Sequence, residues 1–398
     1  MSDLSTREST REHLHPGTAP GETMALEVVD GGGAFATQDM SVSIGPAHPA
    51  THGVFRIVLE LDGERVKAAT PVIGYMHRGF EKLAEHRDYR QIMALVNRHD
   101  WLSGFSNELG VALAVERLME FEVPDRAQWI RMLMAEWNRI LNHLMFVGSY
   151  AIELGAITPM FYAFREREDI QFLMESATGG RLHFTYNQVG GVKIDLPKGF
   201  LKRSAEVSAL VRSRLQDYDD LVLGNEIFQG RTKGVGPLPT EVALSFGVTG
   251  PTLQATGLPE DVRVTEPYLK YDEVDVPVAV GENGDSFDRF YVLLRRIRAS
   301  LDIIDQIHDH MPSGPVNSKL PKMVKAPEGR TYVRTENPLG QLGYWLESDG
   351  GRTPWRIKMR TPSFSNVQAI PYLLDGVLVP DAISVLGSVF FVVGDIDR

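Results

Sequence analysis

Between Leu109 and Leu144 the chain carries apolar residues at helical spacing, and that periodicity constrains the fold more than any other feature. Leu109, Ala112, Leu113, Leu118 and Met119 form one stripe; after a break at Pro124, Ile130, Leu133, Met134, Trp137, Ile140, Leu141 and Leu144 form a second. Residues three and four apart share a helix face, so both stripes predict long helices, and the short Pro-containing break predicts an antiparallel pair within a bundle. Helical spacing runs from about Met76 to Gly179, and Phe161–Ala177, Lys202–Leu223 and Phe287–His310 read as helices too.

The ends of the chain read differently. Phe55, Ile57, Leu59 and Leu61 alternate with period two, Asp62-Gly63 supplies a two-residue hairpin turn, and Arg65 to Val72 is the return strand. Beyond Pro312, Gly343–Glu347 and Thr353–Arg360 flank Ser348-Asp349-Gly350-Gly351, a second hairpin signal that puts Arg356, Lys358 and Arg360 on one strand face. The predicted class is α+β, mainly a helical bundle flanked by two β elements. The expected division is a flexible acidic tail over 1–38, an amino-terminal β unit over 39–73, a helical bundle domain over 74–312 and a carboxyl-terminal β-containing segment over 313–398.

Composition narrows the chemistry. The 398 residues include no cysteine. Thiolate-bound clusters, disulfides and cysteine nucleophiles are therefore excluded for this polypeptide. Lys plus Arg is 41 against 52 for Asp plus Glu, a formal charge of -11 that argues against wholesale nucleic-acid binding. Residues 1–40 hold seven acids and two bases, a balance of -5, with Gly31-Gly32-Gly33 and no apolar stretch of the signal-peptide kind. A membrane span needs about 18 apolar residues with few charges. The best uncharged windows, Ile140–Ile152 and Ala382–Gly394, are 13 residues each, so membrane work would need an anchor from a partner.

Five polar clusters are candidates for chemistry, and each has a structural alternative. In Gly45-Pro46-Ala47-His48-Pro49-Ala50-Thr51-His52-Gly53 the histidines are four apart, but Pro49 and Gly53 argue against a helix; the pair belongs to a turn-rich loop where it could simply bond the backbone. Asn97-Arg98-His99-Asp100-Trp101 fits helix caps and ion pairs as well as a site. Asn138, Asn142, His143 and Glu153 lie on or just after the most apolar helix and need partners, structural or cavity-lining. Phe164-Arg165-Glu166-Arg167-Glu168 suits an ion-paired surface face, and Gly179-Gly180-Arg181-Leu182-His183 a helix end with a basic cap. None identifies a reaction alone.

Their combination resembles the family of the quinone-site D subunit of NADH:quinone oxidoreductase, respiratory complex I. The stretches that carry the resemblance are GPAHPATHG (45–53), IGYMHRGFEKL (73–83), ELGAITPMFYAFRERE (153–168), QVGGVKIDLP (188–197), ENPLGQLGY (336–344) and VVGDIDR (392–398). They occur in the family's order and span residues 40–398. That family is related to the large subunit of nickel–iron hydrogenases, which implies a hydrogenase large-subunit-like fold. Arg78-Gly79-Phe80-Glu81 is similar to a hydrogenase segment, and the four metal-ligand cysteines would fall at Asp100, Ser103, Val392 and Asp395. With no thiol among them the resemblance implies no metal on this chain.

What the resemblance implies instead is reduction of a quinone, ubiquinone or menaquinone, in the former metal cavity, with electrons from a [4Fe–4S] cluster held by a small partner subunit. His52 matches the headgroup histidine, and Glu153 stands where the family commonly has an Asp that pairs with it. Trp101 stands where a headgroup Tyr is common; an indole N–H donates a hydrogen bond but releases no proton at physiological pH. Val392 would line the quinone, and Phe390, where an Asp often stands, would make that side more apolar. Arg98 and His183 match positions beside the partner's cluster. Residues 313–398 would complete the cavity, other peripheral-arm subunits and a quinone-admitting membrane subunit would be neighbours, and the location would be peripheral, on the cytoplasmic side of the cell membrane. Electron transfer coupled to proton translocation is the leading reading. The same role with a ferredoxin or deazaflavin donor, or a non-catalytic scaffold, remains open, whereas a hydrogenase is excluded by ligand count.

Overall fold

The computed structural model describes residues 27–29, 39–321 and 323–398. The first sheet contains β1 (Glu27–Val29), β2 (Asp39–Ile44), β3 (Arg56–Asp62) and β4 (Arg65–Val72), all antiparallel in sequence order. Glu27–Val29 pair with Asp39–Ser41, so these three residues belong to the sheet and not to a flexible tail; the remainder of the acidic segment lies outside the described residues. Ile57, Leu59 and Leu61 are buried, as their alternation requires. The turn falls one residue later than Asp62-Gly63 suggests, because Asp62 still pairs with Arg65 and Gly63, at φ 60°, takes the left-handed turn position.

Five helices follow: α1 (Phe80–Ala84), α2 (Tyr89–Val96), α3 (Gly104–Leu118), α4 (Asp125–Glu153) and α5 (Thr158–Thr178). The α3–α4 pair is antiparallel. Glu116, late in α3, bonds Arg131, early in α4, while the Leu102 carbonyl accepts from Asn138 and the Ser103 hydroxyl from Asn142, further along α4. At 29 residues α4 is about 43 Å long. It packs with α5, α6 (Phe200–Tyr218) and α11 (Ser286–His310) as a four-helix bundle. A small ribbon, β5 (Asn187–Gln188) and β6 (Gly191–Val192), precedes α6, and the short helices α7 (Glu226–Thr232), α8 (Thr240–Ser245), α9 (Pro251–Gln254) and α10 (Val262–Thr265) fill the stretch before α11. The predicted Lys202–Leu223 helix changes at Asp219 to one wider π turn.

The third sheet is an antiparallel β7 (Gly329–Asn337), β8 (Gly340–Ser348) and β9 (Arg356–Arg360). Strand β7 has no sequence signal of its own. Glu81 of α1 ties helix to sheet: it bonds Arg356 and accepts from the Met359 N–H. The expected carboxyl-terminal β-containing segment thus holds three strands, and after them the chain turns helical through α12 (Pro362–Asn366), α13 (Ile370–Leu374), α14 (Val379–Ser388) and α15 (Val393–Asp397). Strands and terminal helices share one core: Phe55, Ile57, Leu59, Leu61 and Val66 pack with Ile370, Leu373, Leu374, Val385 and Leu386. Backbone bonds between Val66 and Val377 and between Glu64 and Val379 join them. The class is α+β, and the first sheet and the terminal helices are packed together.

Leu133 is fully buried in the bundle, whereas Leu244 is 52% exposed. Leu133→Ala removes about 2–5 kcal/mol of stability and Leu244→Ala changes it by about 0.5 kcal/mol or less, as midpoints of urea unfolding will report.

Candidate functional site

The loop between β2 and β3 doubles back through a single 3₁₀ turn at Pro49–Thr51. His48 caps that turn, its Nδ1 accepting from the Ala50 N–H at 3.2 Å, and the Thr51 hydroxyl donates to the His48 carbonyl at 2.6 Å. His48 is thus spent on the backbone. His52 ends the turn in left-handed conformation, φ 49°, which swings its ring inward. Nε2 lies 2.9 Å from Glu153 Oε1 and Nδ1 lies 3.2 Å from the Phe391 carbonyl oxygen. The Phe391 ring sits beside it at 4.7 Å between centroids.

Both ring nitrogens of His52 therefore face acceptors. A neutral imidazole has one N–H and must set its other nitrogen's lone pair against an acceptor; the imidazolium satisfies both. Burial lowers the His52 pKa, but the Glu153 hydrogen bond and charge, with the Phe391 carbonyl, outweigh it and the net shift is upward. The site is built to hold a proton on His52.

Trp101 is 38% exposed on the loop after α2, and Arg98 and His183 are exposed as well. His183 Nδ1 lies 2.6 Å from Asn97 Oδ1, and the Asn97 amide in turn donates to Glu108. That chain fixes Nδ1 as the protonated nitrogen and leaves Nε2 outward. Burial and the Arg98 charge lower the His183 pKa. Val392 is 5% exposed and belongs to the bundle core. Phe390, also buried, meets Phe146 and Tyr150 edge-on.

Asp100, Ser103, Val392 and Asp395 all hold hydrogen bonds. Ser103 Oγ accepts from Asn142, the Val392 N–H donates to Ser363, and Asp395 pairs with His99 Nδ1 at 3.1 Å and accepts from the Ser363 N–H. Asp100 Oδ1 accepts from the Leu102 and Ser103 N–H groups, while Oδ2 is buried and unpartnered. Burial and the nearby Asp395 charge push the Asp100 pKa up to about 7. Among the described residues no group of three or more His, Asp or Glu is arranged to hold a metal ion, and no helix is long and apolar enough to cross a membrane.

The other polar clusters resolve into architecture. Asn138 accepts from the first N–H groups of α3, His143 accepts from Arg296 Nε, and burial with the Arg296 charge keeps His143 neutral. In the 164–168 segment, Arg165 and Glu168 make surface pairs but Glu166 and Arg167 are buried. Two surface hollows, one at Glu328–Arg330 and Glu347–Asp349 and one at Val280–Asp288, lie away from His52; neither gathers a proton-holding pair, so the His52 neighbourhood remains the candidate.

A family model described as the 49 kDa subunit of respiratory-chain NADH dehydrogenase matches residues 153–326 and 320–398. The chain belongs to that family. Relatives named as the D subunit of NADH-quinone oxidoreductase agree along nearly the whole length. One from Salinispora arenicola (strain CNS-205) is 57% identical over 384 residues, 96% of this chain and all of the relative. One from Streptomyces coelicolor is 57% identical over 372 residues, 92% of this chain and 97% of the relative, and one from Bacillus mycoides is 45% identical over 362 residues, 91% and 99%. Within the 49 kDa family's matched region lie Glu153, His183, Val392 and Asp395; His52, Arg98, Asp100 and Trp101 precede it.

Asp100 generates a stability test. A carboxyl whose folded pKa is raised favours the fold while protonated, and that contribution is lost as pH rises from the unfolded value near 4 through about 7. Asp100→Asn removes the loss. The melting temperature of the variant relative to the parent therefore rises between pH 5 and pH 8.

Proposed function

We propose that this chain forms the quinone-reduction site of NADH-quinone oxidoreductase and meets there a partner subunit that delivers electrons. Family membership makes it a subunit of that oxidoreductase. The observation that carries the proposal is the His52 ring, held between Glu153 and the Phe391 carbonyl with acceptors at both nitrogens.

A quinone becomes a quinol by taking two electrons and two protons. A cluster in the partner subunit would supply the electrons. The protons are the task of this chain, and the acceptors at both His52 nitrogens, which raise its pKa, favour the form that carries one. A headgroup oxygen that displaces the Phe391 carbonyl takes the proton from Nδ1, while Nε2–H stays bonded to Glu153, which keeps the ring oriented for reprotonation. Trp101, exposed on the loop after α2, would offer a ring to stack on the headgroup and an indole N–H for its second oxygen. The second proton returns through His52 or through water. Coupling to proton translocation and a place on the cytoplasmic side of the cell membrane belong to this reading, as does a membrane partner that admits the quinone.

In the assembled complex, His52→Gln lowers quinone reduction by about 10²-fold or more, while an artificial acceptor that draws electrons upstream of this subunit is reduced at the parental rate. Trp101→Phe raises KM for quinone more than it lowers kcat. Parental quinone turnover in His52→Gln would overturn the proposal.

Arg98 and His183 are the residues we place next to the partner's cluster. With its pKa lowered, His183 is neutral while the cluster is oxidised and gains a proton through the outward Nε2 when an electron arrives. One proton per electron makes the midpoint potential fall by about 59 mV per pH unit. Redox titration of His183→Ala gives a potential independent of pH; a slope equal to that of the parent would remove His183 from this role.

A further inference from the structure

We propose that Gly387 is a positioning residue, its missing side chain being the space the Glu153 carboxylate occupies when Oε1 bonds His52. The inference rests on the reading of His52 as the proton donor and adds a residue that the reading does not supply.

Two helices meet face to face here. Tyr150 and Glu153 are three apart on α4, and Ser384 and Gly387 are three apart on α14, so each pair shares one helix face. The first rung is a hydrogen bond, Tyr150 Oη to Ser384 Oγ at 2.9 Å. On the second rung Glu153 lies against the backbone at Gly387: a Cβ built on Gly387 overlaps Glu153 Oε2 and falls 2.8 Å from Tyr150 Cδ2. Tyr150 cannot give way, because its ring is buried among Phe228, Phe290 and Phe390. The carboxylate can, and any side chain at 387 displaces it.

Backbone conformation does not explain this glycine. Gly387 is absent from the positive-φ positions and lies one residue before the end of α14, where glycine weakens a helix relative to alanine. Space does explain it. Glu153 Oε2 is buried and accepts no hydrogen bond from any described residue, so packing alone holds that half of the carboxylate. The same helix delivers the other partner of His52, since α14 runs out through Val389 and the left-handed Phe390 to the Phe391 carbonyl. Glu153 is the longer of the two acids, and Gly387 provides the room its extra methylene demands.

The test is a cycle of Gly387→Ala, Glu153→Asp and the double variant in the full chain, with His52 followed by NMR of labelled histidine across pH and assigned with His52→Gln. The added methyl pushes the carboxylate away, so Gly387→Ala lowers the His52 titration midpoint. Glu153→Asp withdraws the oxygen from residue 387, so the double variant titrates closer to the parent than Gly387→Ala does. Contact of the methyl with Tyr150 is present in the single Gly387→Ala variant and in the double variant alike, and cancels in the comparison. An unchanged midpoint in Gly387→Ala, or a double variant no closer to the parent, overturns the assignment. In the assembled complex the alkaline limb of quinone reduction moves to lower pH with the His52 midpoint; if the midpoint moves and the limb does not, the positioning role stands and the proton-donor reading of His52 fails.

Discussion

Helix α4 is buried on nearly every side and yet carries Arg131, Glu136, Asn138, Arg139, Asn142 and His143, each 2% exposed or less. Leaving one buried charge without its partner costs about 3–5 kcal/mol and an unpaired buried amide or imidazole about 1–3 kcal/mol, so these groups dictate what lies beside them. Arg131 holds Glu116 of α3 at 2.6 Å and the carbonyls of Gln188 and Gly191. Glu136 gathers Arg263, Ser300 and Tyr271; burial pushes its pKa up, but Arg139 and Arg263 bring it down to about 2. Arg139 reaches the Glu336 carbonyl of β7, and His143 receives Arg296 of α11, which also pairs with Glu336. Bundle, short helices and third sheet are thereby registered on one helix.

That registration places the candidate site. Asn138 and Asn142 tie the loop of Asp100 and Ser103 to the middle of α4, and the last residue of the helix is Glu153. The terminal segment closes over both: His99 bonds Asp395, and Asp397 accepts from the Gly74 and Met76 N–H groups. Asp395, through His99, joins that loop to the carboxyl-terminal segment, while Asp100 bonds within the loop, Ser103 bonds α4 and Val392 bonds Ser363. Cysteine is not needed for any of these contacts.

The helical stripes and the strand alternation were legible because each is a local record of which face is buried. Strand β7 was not, nor was the helical end of the chain after Arg360, where α12 to α15 are short and gain their stability from packing against the first sheet. In the cluster Asn97–Trp101 the sequence offered caps and a site as alternatives; in the fold Asn97 and His99 are bonded into the frame, whereas Arg98 and Trp101 stay exposed. Glu166 and Arg167 read as a surface face and are buried, because adjacent helices cover them, a fact with no counterpart in local spacing.

The α+β class, the absence of thiol ligands and the family follow from the chain alone, since composition, periodicity and ordered motifs are written along it. Only the folded arrangement decided that His52, 101 residues from Glu153 and 339 from Phe391, has acceptors at both ring nitrogens, that Asp100 faces the charge of Asp395, and that Gly387 opens the space beside Glu153. Proton affinity depends on the dielectric and on charges within a few ångströms, and the neighbours that set both are far apart along the chain and meet only in the fold.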